Sequence, residues 1–348
     1  MRQKKAKPAN VVMFIILVVF AIVFIFPILF ILMNSFKGKL FISDNPFSMP
    51  KFTLNKEEKA DVEEQYKQKV EDFLDRYTDG VTVPREMTDA LVAENCKSEG
   101  YKTVAEYEKG VKESLKSQVV SFVKLKNYVE GVKKTGFFKA FGYSAFITVF
   151  SVLVIVLFTA MTGWMITRYK SKLSEAMYLL YAFSMVVPFQ MVMFTMTFIV
   201  NRLSLDNPLG IIVVYLGFGA GLSVFMFCGF VKGIPIDIEE AAMIDGASHY
   251  QVFFRIMFPL AQPGIVTVCV VNFINNWNEY YKAMTYLSTP DRLTIPVSLV
   301  NFIAQCQYRI AWGPLMASCI LMTVPTLLIY CIFCNSIQKG LTAGAVKG

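Results

Sequence analysis

A polar helix face runs through an otherwise apolar stretch, residues 265–284. Its side chains stand at positions i, i+3, i+4 and i+7, a spacing that places residues on one side of an α-helix. Amides and carboxylates are costly in hydrocarbon, so this face should line a water-filled cavity or the interior of a helix bundle. The residues are Asn272, Asn275, Asn276 and Glu279.

The groups on this face suit a polyhydroxylated ligand. A sugar site needs paired hydrogen-bond donors and acceptors together with flat apolar surface. The amides and Glu279 supply the first, and Trp277, Tyr280 and Tyr281 supply the second. The same amides would equally serve to join neighbouring helices by hydrogen bonds, and the sequence leaves both interpretations open.

Bond-making chemistry is not indicated. The sequence contains no G-x-x-x-x-G-K-[ST] phosphate loop, no H-E-x-x-H and no G-x-S-x-G. Its single histidine, His249, leaves little scope for acid–base catalysis, and the cysteine spacing suggests no metal site. We therefore predict that this chain has no catalytic residue, binds no metal or cofactor, and does not hydrolyse ATP.

The elements that carry these residues are predicted to be membrane helices. Hydrophobic residues make up 55% of the 348-residue chain, against roughly 45–50% in soluble domains. Apolar runs of about 20 residues mark membrane spans. In the third run, Pro188 and Gln190 favour a packing kink over a broken helix lining a pathway. The six predicted spans are 11–33, 137–166, 175–200, 209–231, 265–284 and 312–335.

Basic residues give the orientation of these spans. They occur at the amino terminus, in 168–172, at Lys232 and Arg255, and in the carboxyl-terminal tail. The positive-inside rule places all of them in the cytoplasm, so both termini are predicted to be cytoplasmic. The net charge of +8 is thus explained by the bilayer, without a nucleic acid partner.

Residues 37–134 form a charged insert between the first two spans, with 18 basic and 18 acidic side chains. Helical spacing over 55–77, 88–99 and 103–132 predicts a small, mostly helical extracytoplasmic domain. Thr88, and Thr103 with Glu106, are candidate caps. The insert is interpreted either as a contact for a substrate-delivery protein or as a partly disordered decoration.

A polar island, residues 233–264, separates the fourth and fifth spans. Asp237 with Glu240 predicts a capping box, and Gly246 predicts the end of that helix. Ser248 with Gln251 predicts a second capping box. The second short helix should carry Val252, Phe253, Ile256 and Met257 and end at Pro259.

The strings EEAAMIDGAS and FFRIMFPL in this island resemble the EAA loop of bacterial ABC importer permeases, in the carbohydrate (maltose-type, second permease) branch. WNEYYKA and the tail QKGLTAGAVKG resemble the same branch. Two features depart from it: Phe258 replaces a leucine, and the insert is unusually long. The resemblance implies that the loop is a coupling helix docked on an ATPase and that the tail docks there too. The implied coupling residues are Glu240, Ala241, Ala242, Asp245, Gly246, Ile256 and Pro259; the implied tail residues are Gly340, Thr342, Gly344 and Lys347.

The resemblance also implies an assembly in a bacterial cell membrane. Its partners would be an ABC ATPase dimer carrying ATP and Mg²⁺, a second homologous permease, an extracytoplasmic sugar-binding protein and a carbohydrate. The expected fold is an all-α membrane protein with six transmembrane helices of the type I importer permease fold and an inserted, mostly helical domain. The expected divisions are 1–36 (tail and first span), 37–134 (insert), 135–335 (permease core with loop 233–264) and 336–348 (tail).

Two other functions remain open on the sequence. The substrate of such a permease would be another small solute if the asparagine face only joins helices. A membrane sensor is the alternative from a different class, with the insert binding ligand outside and the island signalling inward. Transport assays with mono- and oligosaccharides separate sugar from another solute. Co-purification identifies the sensor, because a sensor need not bring down an ATPase.

Overall fold

The computed structural model describes residues 8–38, 46–50, 103–119, 123–287, 292–306 and 311–345, with scattered positions between 42 and 90. Every regular element in that part of the chain is helical. Thr88 and almost all of the helix predicted over 88–99 lie outside these residues. The cap predicted at Thr103 is present, because its hydroxyl accepts a hydrogen bond from the Glu106 N–H at 3.2 Å.

The described part of the chain forms the following helices, numbered from the amino terminus. They are α1 Pro8–Ser35, α2 Val104–Val119, α3 Lys126–Thr135, α4 Phe137–Arg168, α5 Lys172–Ser184, α6 Phe189–Arg202, α7 Pro208–Lys232, α8 Asp237–Ile244, α9 His249–Leu260, α10 Gln262–Trp277, α11 Tyr281–Tyr286, α12 Ile295–Cys306 and α13 Trp312–Ala345.

Four of the described helices are long and apolar enough to cross a bilayer: α1, α4, α7 and α13. The count rises to six if two bent pairs, α5 with α6 and α9 with α10, each form one span. The predicted first, second, fourth and sixth spans each fall within one of the four long helices. The chain is therefore a multi-pass helical membrane protein, with four to six helical segments in its described part that are long and apolar enough to cross a bilayer.

The third predicted span is not one kinked helix. The direction of the helix axis changes by 107° between α5 and α6. The preference for a packing kink is therefore wrong, and the helix is interrupted here. Pro188 has extended backbone, with ψ 145°, and lies immediately before α6. Proline cannot donate the hydrogen bond that would continue α5, and it disfavours helical backbone in the residue before it.

The fifth predicted span is also interrupted. Helix α10 ends at Trp277 and α11 begins at Tyr281, so no single helix covers 265–284. The region 285–311, between the fifth and sixth predicted spans, contains the apolar helix α12. The Ser144 hydroxyl accepts the Ile295 N–H at 2.8 Å, which satisfies one of the free donors at the start of α12.

The described part of the chain divides into two compact units. The first comprises residues 1–134 and 303–320. In it, the Asn127 amide donates to the carbonyl oxygens of Ser35 and Lys37, at 2.8 Å each. The Val123 N–H donates to the Phe36 carbonyl at 2.8 Å. These bonds tie the start of α3 to the end of α1, so the chain leaves α1 and returns to it at one place.

The second unit comprises residues 135–302 and 321–348. Its centre is the contact between α4 and α7, where Gly163 faces Phe227. A Cβ atom at position 163 would lie 2.7 Å from the Phe227 Cβ, so only glycine permits this approach. Close helix contact through small residues is the usual way in which membrane helices associate. Val156, Ala160 and Val231 complete the buried interface.

Candidate functional site

The island 233–264 is anchored to the end of α4 by a buried carboxylate. Glu239 is 3% exposed and accepts hydrogen bonds from Trp164 Nε1 at 2.8 Å and Arg168 Nε at 2.6 Å. Arg168 Nη2 also donates to the Ile234 carbonyl at 2.9 Å. Charge-assisted bonds of this kind are short and about twice as strong as neutral ones. The anchor therefore fixes the first turn of α8 against the carboxyl-terminal end of α4.

Sequence reasoning missed this anchor. It treated Arg168 as one of several topological charges and gave Glu239 no role. A signal was available, because the island has two adjacent glutamates in the first turn of a helix, where carboxylates are favoured. On a helix, adjacent residues point about 100° apart, so the two glutamates can face different environments.

The predicted cap at Asp237 is wrong. Asp237 is the first residue of α8; Ile236 occupies the preceding position, and its side chain makes no capping bond. The predicted stop at Gly246 is confirmed, with φ 86°. The Gly246 N–H donates to the Met243 carbonyl and the Ala247 N–H to the Ala242 carbonyl, at 3.1 and 3.0 Å. This pair of bonds is a Schellman motif, which requires a residue in the left-handed region.

The second capping box is confirmed. The Ser248 N–H donates to Gln251 Oε1 at 2.8 Å, and the Gln251 N–H donates to Ser248 Oγ at 3.4 Å. The helix that follows does not end at Pro259, as predicted, but at Leu260. Its middle, Val252–Met257, is a π-helix, in which each bond reaches one residue further back. The actual turn comes at Ala261, where α9 and α10 meet at 76°.

The inner face of the island is apolar and lies on α4 and α7. Val252, Phe253 and Met257 are at most 3% exposed. The Phe253 ring lies 5.5 Å from the Trp164 ring, between centroids. The charged anchor at Glu239 thus holds α8, and apolar packing against α4 and α7 holds α9.

The outer face of the island carries most of the coupling residues implied by the sequence. Glu240, Ala241, Asp245, Gly246 and Pro259 are exposed, whereas Ala242 and Ile256 are half-buried. Ile244, on this same outer surface, is 85% exposed. The structure therefore brings Glu240, Ala241, Asp245 and Gly246 together on one outward surface of α8 and its end.

The polar residues of α10 do not act as one face. Asn272 is buried and donates to Ser223 Oγ on α7 at 2.8 Å and to the Val268 carbonyl at 2.9 Å. Asn275 is exposed. Asn276 is half-buried, and no described group bonds its Nδ2. Trp277 is buried, its Nε1 donating to the Met322 carbonyl at 3.4 Å. Glu279 lies beyond the end of α10, so the prediction of a continuous four-residue helix face is wrong.

Glu279 has an ionic partner that the sequence reasoning did not single out. Its Oε2 pairs with Lys282 Nζ, and its Oε1 accepts the Lys282 N–H at 3.0 Å. The Glu279 and Lys282 side chains are 16% and 15% exposed. The carboxylate is thus neutralised within the chain rather than left free for a ligand.

The predicted tail residues lie at the end of a long helix. Helix α13 continues to Ala345, so the backbone at Gly340, Thr342 and Gly344 is helical. No helix end marks the predicted boundary at residue 335 between the last span and the tail. Lys347 lies outside the described residues.

The interrupted apolar helices and the anchored island identify the class of this chain. It is a multi-pass helical membrane protein with a folded loop between two of its apolar helices. Residues 155–342 match the family model of the binding-protein-dependent transport system inner membrane component. This match covers more than half of the chain, and the chain belongs to that family.

Curated relatives agree with this assignment. The chain is 32% identical to the probable starch degradation products transport system permease protein AmyC of Thermoanaerobacterium thermosulfurigenes, over 64% of this chain and 81% of AmyC. It is 33% identical to the multiple sugar-binding transport system permease protein MsmG of Streptococcus mutans, over 60% of this chain and 76% of MsmG. The chain is accordingly similar to transport permeases over its membrane core.

A solved structure shows the same fold. A chain from the crystal structure of a bacterial ABC transporter that imports the acidic polysaccharide alginate superimposes with a TM-score of 0.64. The match covers 96% of this chain and 98% of that chain, at 17% sequence identity. At this identity the likeness establishes the fold alone: this chain shares the helical fold of a chain of that transporter.

Proposed function

We propose that this chain is the permease subunit of an ATP-driven importer that moves an oligosaccharide across a bacterial membrane by alternating access. Membership of the family supports the transport role. The carbohydrate assignment is supported by relatives whose names refer to starch degradation products, multiple sugars and arabinooligosaccharides. The last of these names specifies oligosaccharides, which supports an oligosaccharide substrate.

The anchored island carries this proposal. Its outer surface is the docking element for an ATPase, with Ile244 as its most exposed apolar side chain and Glu240 and Asp245 around it. Apolar anchors that enter a partner's pocket supply most of the energy of an interface. Its inner surface is tied to α4 through Glu239, so a displacement of the docked surface is transmitted to the membrane helices.

The assembly that follows contains more than this chain. ATP and Mg²⁺ belong to an ATPase dimer that engages the island. The helix end at Gly340, Thr342 and Gly344 supplies a second contact with it, and Lys347, outside the described residues, is proposed to take part in the same contact. A second homologous permease completes the pathway. An extracytoplasmic sugar-binding protein delivers the substrate, an assignment supported by the solved alginate transporter in complex with its periplasmic protein.

Within the membrane, the amides that remain available on α10 are the candidates for substrate contact. Asn275 is exposed, and the Nδ2 group of Asn276 lacks a hydrogen-bond partner among the described residues. Asn272 instead joins α10 to α7. The group of amides proposed to face the sugar is therefore smaller than the sequence suggested. It lies in the last turn of α10, just before that helix ends.

Purification with partners, followed by transport assays, tests the function. The tagged chain, isolated from its native membrane, should bring down an ATPase and a second permease. Reconstituted vesicles should then accumulate labelled oligosaccharide only when ATP is present with the binding protein. Purification without any ATPase would contradict the proposal, as would a complex that imports a non-carbohydrate solute but no sugar.

Orientation is tested with single cysteines in a cysteine-free background. Asp245→Cys lies on the exposed surface of the island, and Met49→Cys replaces a side chain that is 75% exposed after the first span. In intact cells an impermeant maleimide should label position 49 and leave position 245 unlabelled until the membrane is permeabilised. Labelling of position 245 from outside would place the island on the wrong side for an ATPase.

A further inference from the structure

The break between α10 and α11 is stabilised by the polar side chains that occupy it. The Asn278 side chain donates to the Ile274 carbonyl at 2.8 Å, at the end of α10. Glu279 accepts the Lys282 N–H at 3.0 Å, at the start of α11. Irregular backbone at membrane depth is tolerated only where its polar groups are satisfied or it lines a water-filled cavity. These two residues therefore cap two half-helices.

Lys282 connects this break to other helices. Its ammonium pairs with Glu279 and also lies over three aromatic rings, 5.3 Å from the centroid of Phe189, 5.4 Å from Phe218 and 5.9 Å from Tyr215. Phe218 and Tyr215 belong to α7. Phe189 is the first residue of α6, immediately after the break in the third span. One cation thus lies close to two of the places where the described helices are interrupted.

The surroundings of Lys282 determine what is lost when its charge, or that of Glu279, is removed. A cation over aromatic rings gains more when it is removed from water, and here three rings surround it. A buried carboxylate that loses its cation is strongly destabilised, whereas a buried pair replaced by neutral groups often is not. Removing only one of the two charges should therefore disturb the contacts among α6, α7 and α11 more than removing both.

We propose that Lys282 is a positioning residue for transport: through Glu279 and the three rings it fixes the break after α10, and with it the orientation of Asn275 and Asn276, against the break before α6. The inference rests on the proposed function, since it assigns a role in moving substrate along that pathway. Lys282 itself is not assigned any contact with the sugar.

A charge-removal series on the reconstituted complex tests this role. Lys282→Met removes the cation while keeping an unbranched chain, Glu279→Gln removes the anion, and the double variant removes both. The readout is sugar moved per ATP hydrolysed, because a loss of folded protein lowers both quantities in proportion whereas misplacement lowers only the ratio. The matched control is Lys126→Met, which breaks a Lys–Glu pair whose side chains are 47% and 38% exposed.

We expect Lys282→Met to lower the ratio by about tenfold, because it leaves a carboxylate buried without its partner. The double variant should recover to within about threefold of the wild type, because no unpaired charge remains. Lys126→Met should leave the ratio unchanged, since exposed pairs contribute little. Lys282→Arg keeps the charge and the ring contacts and should retain transport, which provides a folded comparison if the methionine variant does not accumulate.

Additive losses in the double variant, or a Lys282→Met ratio equal to that of Lys126→Met, would overturn the inference. So would a Lys282→Arg ratio as low as that expected of the methionine variant. A wild-type complex that hydrolyses ATP but imports no carbohydrate would instead overturn the proposed function, and this inference with it.

Discussion

Glu239 and Glu240 are adjacent in sequence but face opposite environments, so exchanging each for glutamine separates anchoring from docking. Glu239 is 3% exposed and bonded to Trp164 and Arg168. Glu240 is exposed on the outer face of α8. Glu239→Gln should loosen the island without altering its docking surface, and Glu240→Gln should alter that surface without loosening the island.

The magnitude follows from the bonds that are lost. Hydrogen bonds to charged groups contribute about 1.5–3 kcal/mol each. Glutamine keeps one carbonyl oxygen, so the substitution removes one acceptor and the charge opposite Arg168, while the other bond survives in neutral form. A loss of about 2 kcal/mol is therefore expected for Glu239→Gln. It corresponds to a roughly thirtyfold increase in the population of the opened island. For Glu240→Gln the change should stay within about 0.5 kcal/mol.

Hydrogen exchange measures this population directly, because amides exchange through local opening. In detergent-solubilised protein, the amides of Asp237–Ile244 should exchange roughly thirtyfold faster in Glu239→Gln than in the wild type. Glu240→Gln should exchange like the wild type but bind the ATPase more weakly in pull-down assays. Equal exchange in the two variants would refute the anchoring role of Glu239, and the argument that force passes from the island into α4 would fail.

Three further pairs of variants test the packing. Gly246→Ala forces alanine to the glycine's φ of 86° and should reduce uptake per ATP more than Gly246→Asn, since asparagine tolerates the left-handed region. Gly163→Ala places a Cβ 2.7 Å from Phe227 and should lower the unfolding free energy by about 1–3 kcal/mol, whereas Gly142→Ala, in open space on the same helix, should not. Asn127→Asp loses the donor shared by two carbonyls and should speed proteolysis near α3 far more than Tyr128→Phe, which loses one hydroxyl bond.

The sequence predicts the long helices well, because an apolar run of about 20 residues has few other structures available to it. It also predicts the second capping box and the stop at Gly246, since both depend on bonds within five residues. Local signals of this kind need no knowledge of the rest of the fold. The family resemblance of the loop and its surroundings is likewise readable from the sequence, because the residues that carry it are contiguous.

Failures occur where a distant partner decides the structure. Asp237 has the right residue type for a cap, yet it is the first residue of α8, and Glu239 in the same turn bonds Trp164 and Arg168 on another helix. Glu279 fits a helical spacing, but the helix ends before it, and Lys282 and three rings occupy the space around it. Spacing along a chain gives no sign of the contacts with Trp164, Arg168 and the rings, which are many residues away in sequence, whereas the Glu279–Lys282 pair is local.

If the island docks an ATPase as proposed, force on it has a defined route in this fold. It would enter α4 through Glu239 and Arg168, and α4 packs closely against α7 at Gly163. A glycine contact without space for a methyl group leaves little freedom for the two helices to slide. On the proposed function, α4 and α7 should therefore move as one body, and the change in shape should be taken up at the helix breaks. Spin labels on α4 and α7 should report the same separation with and without ATP, and a separation that changes with nucleotide would contradict this route.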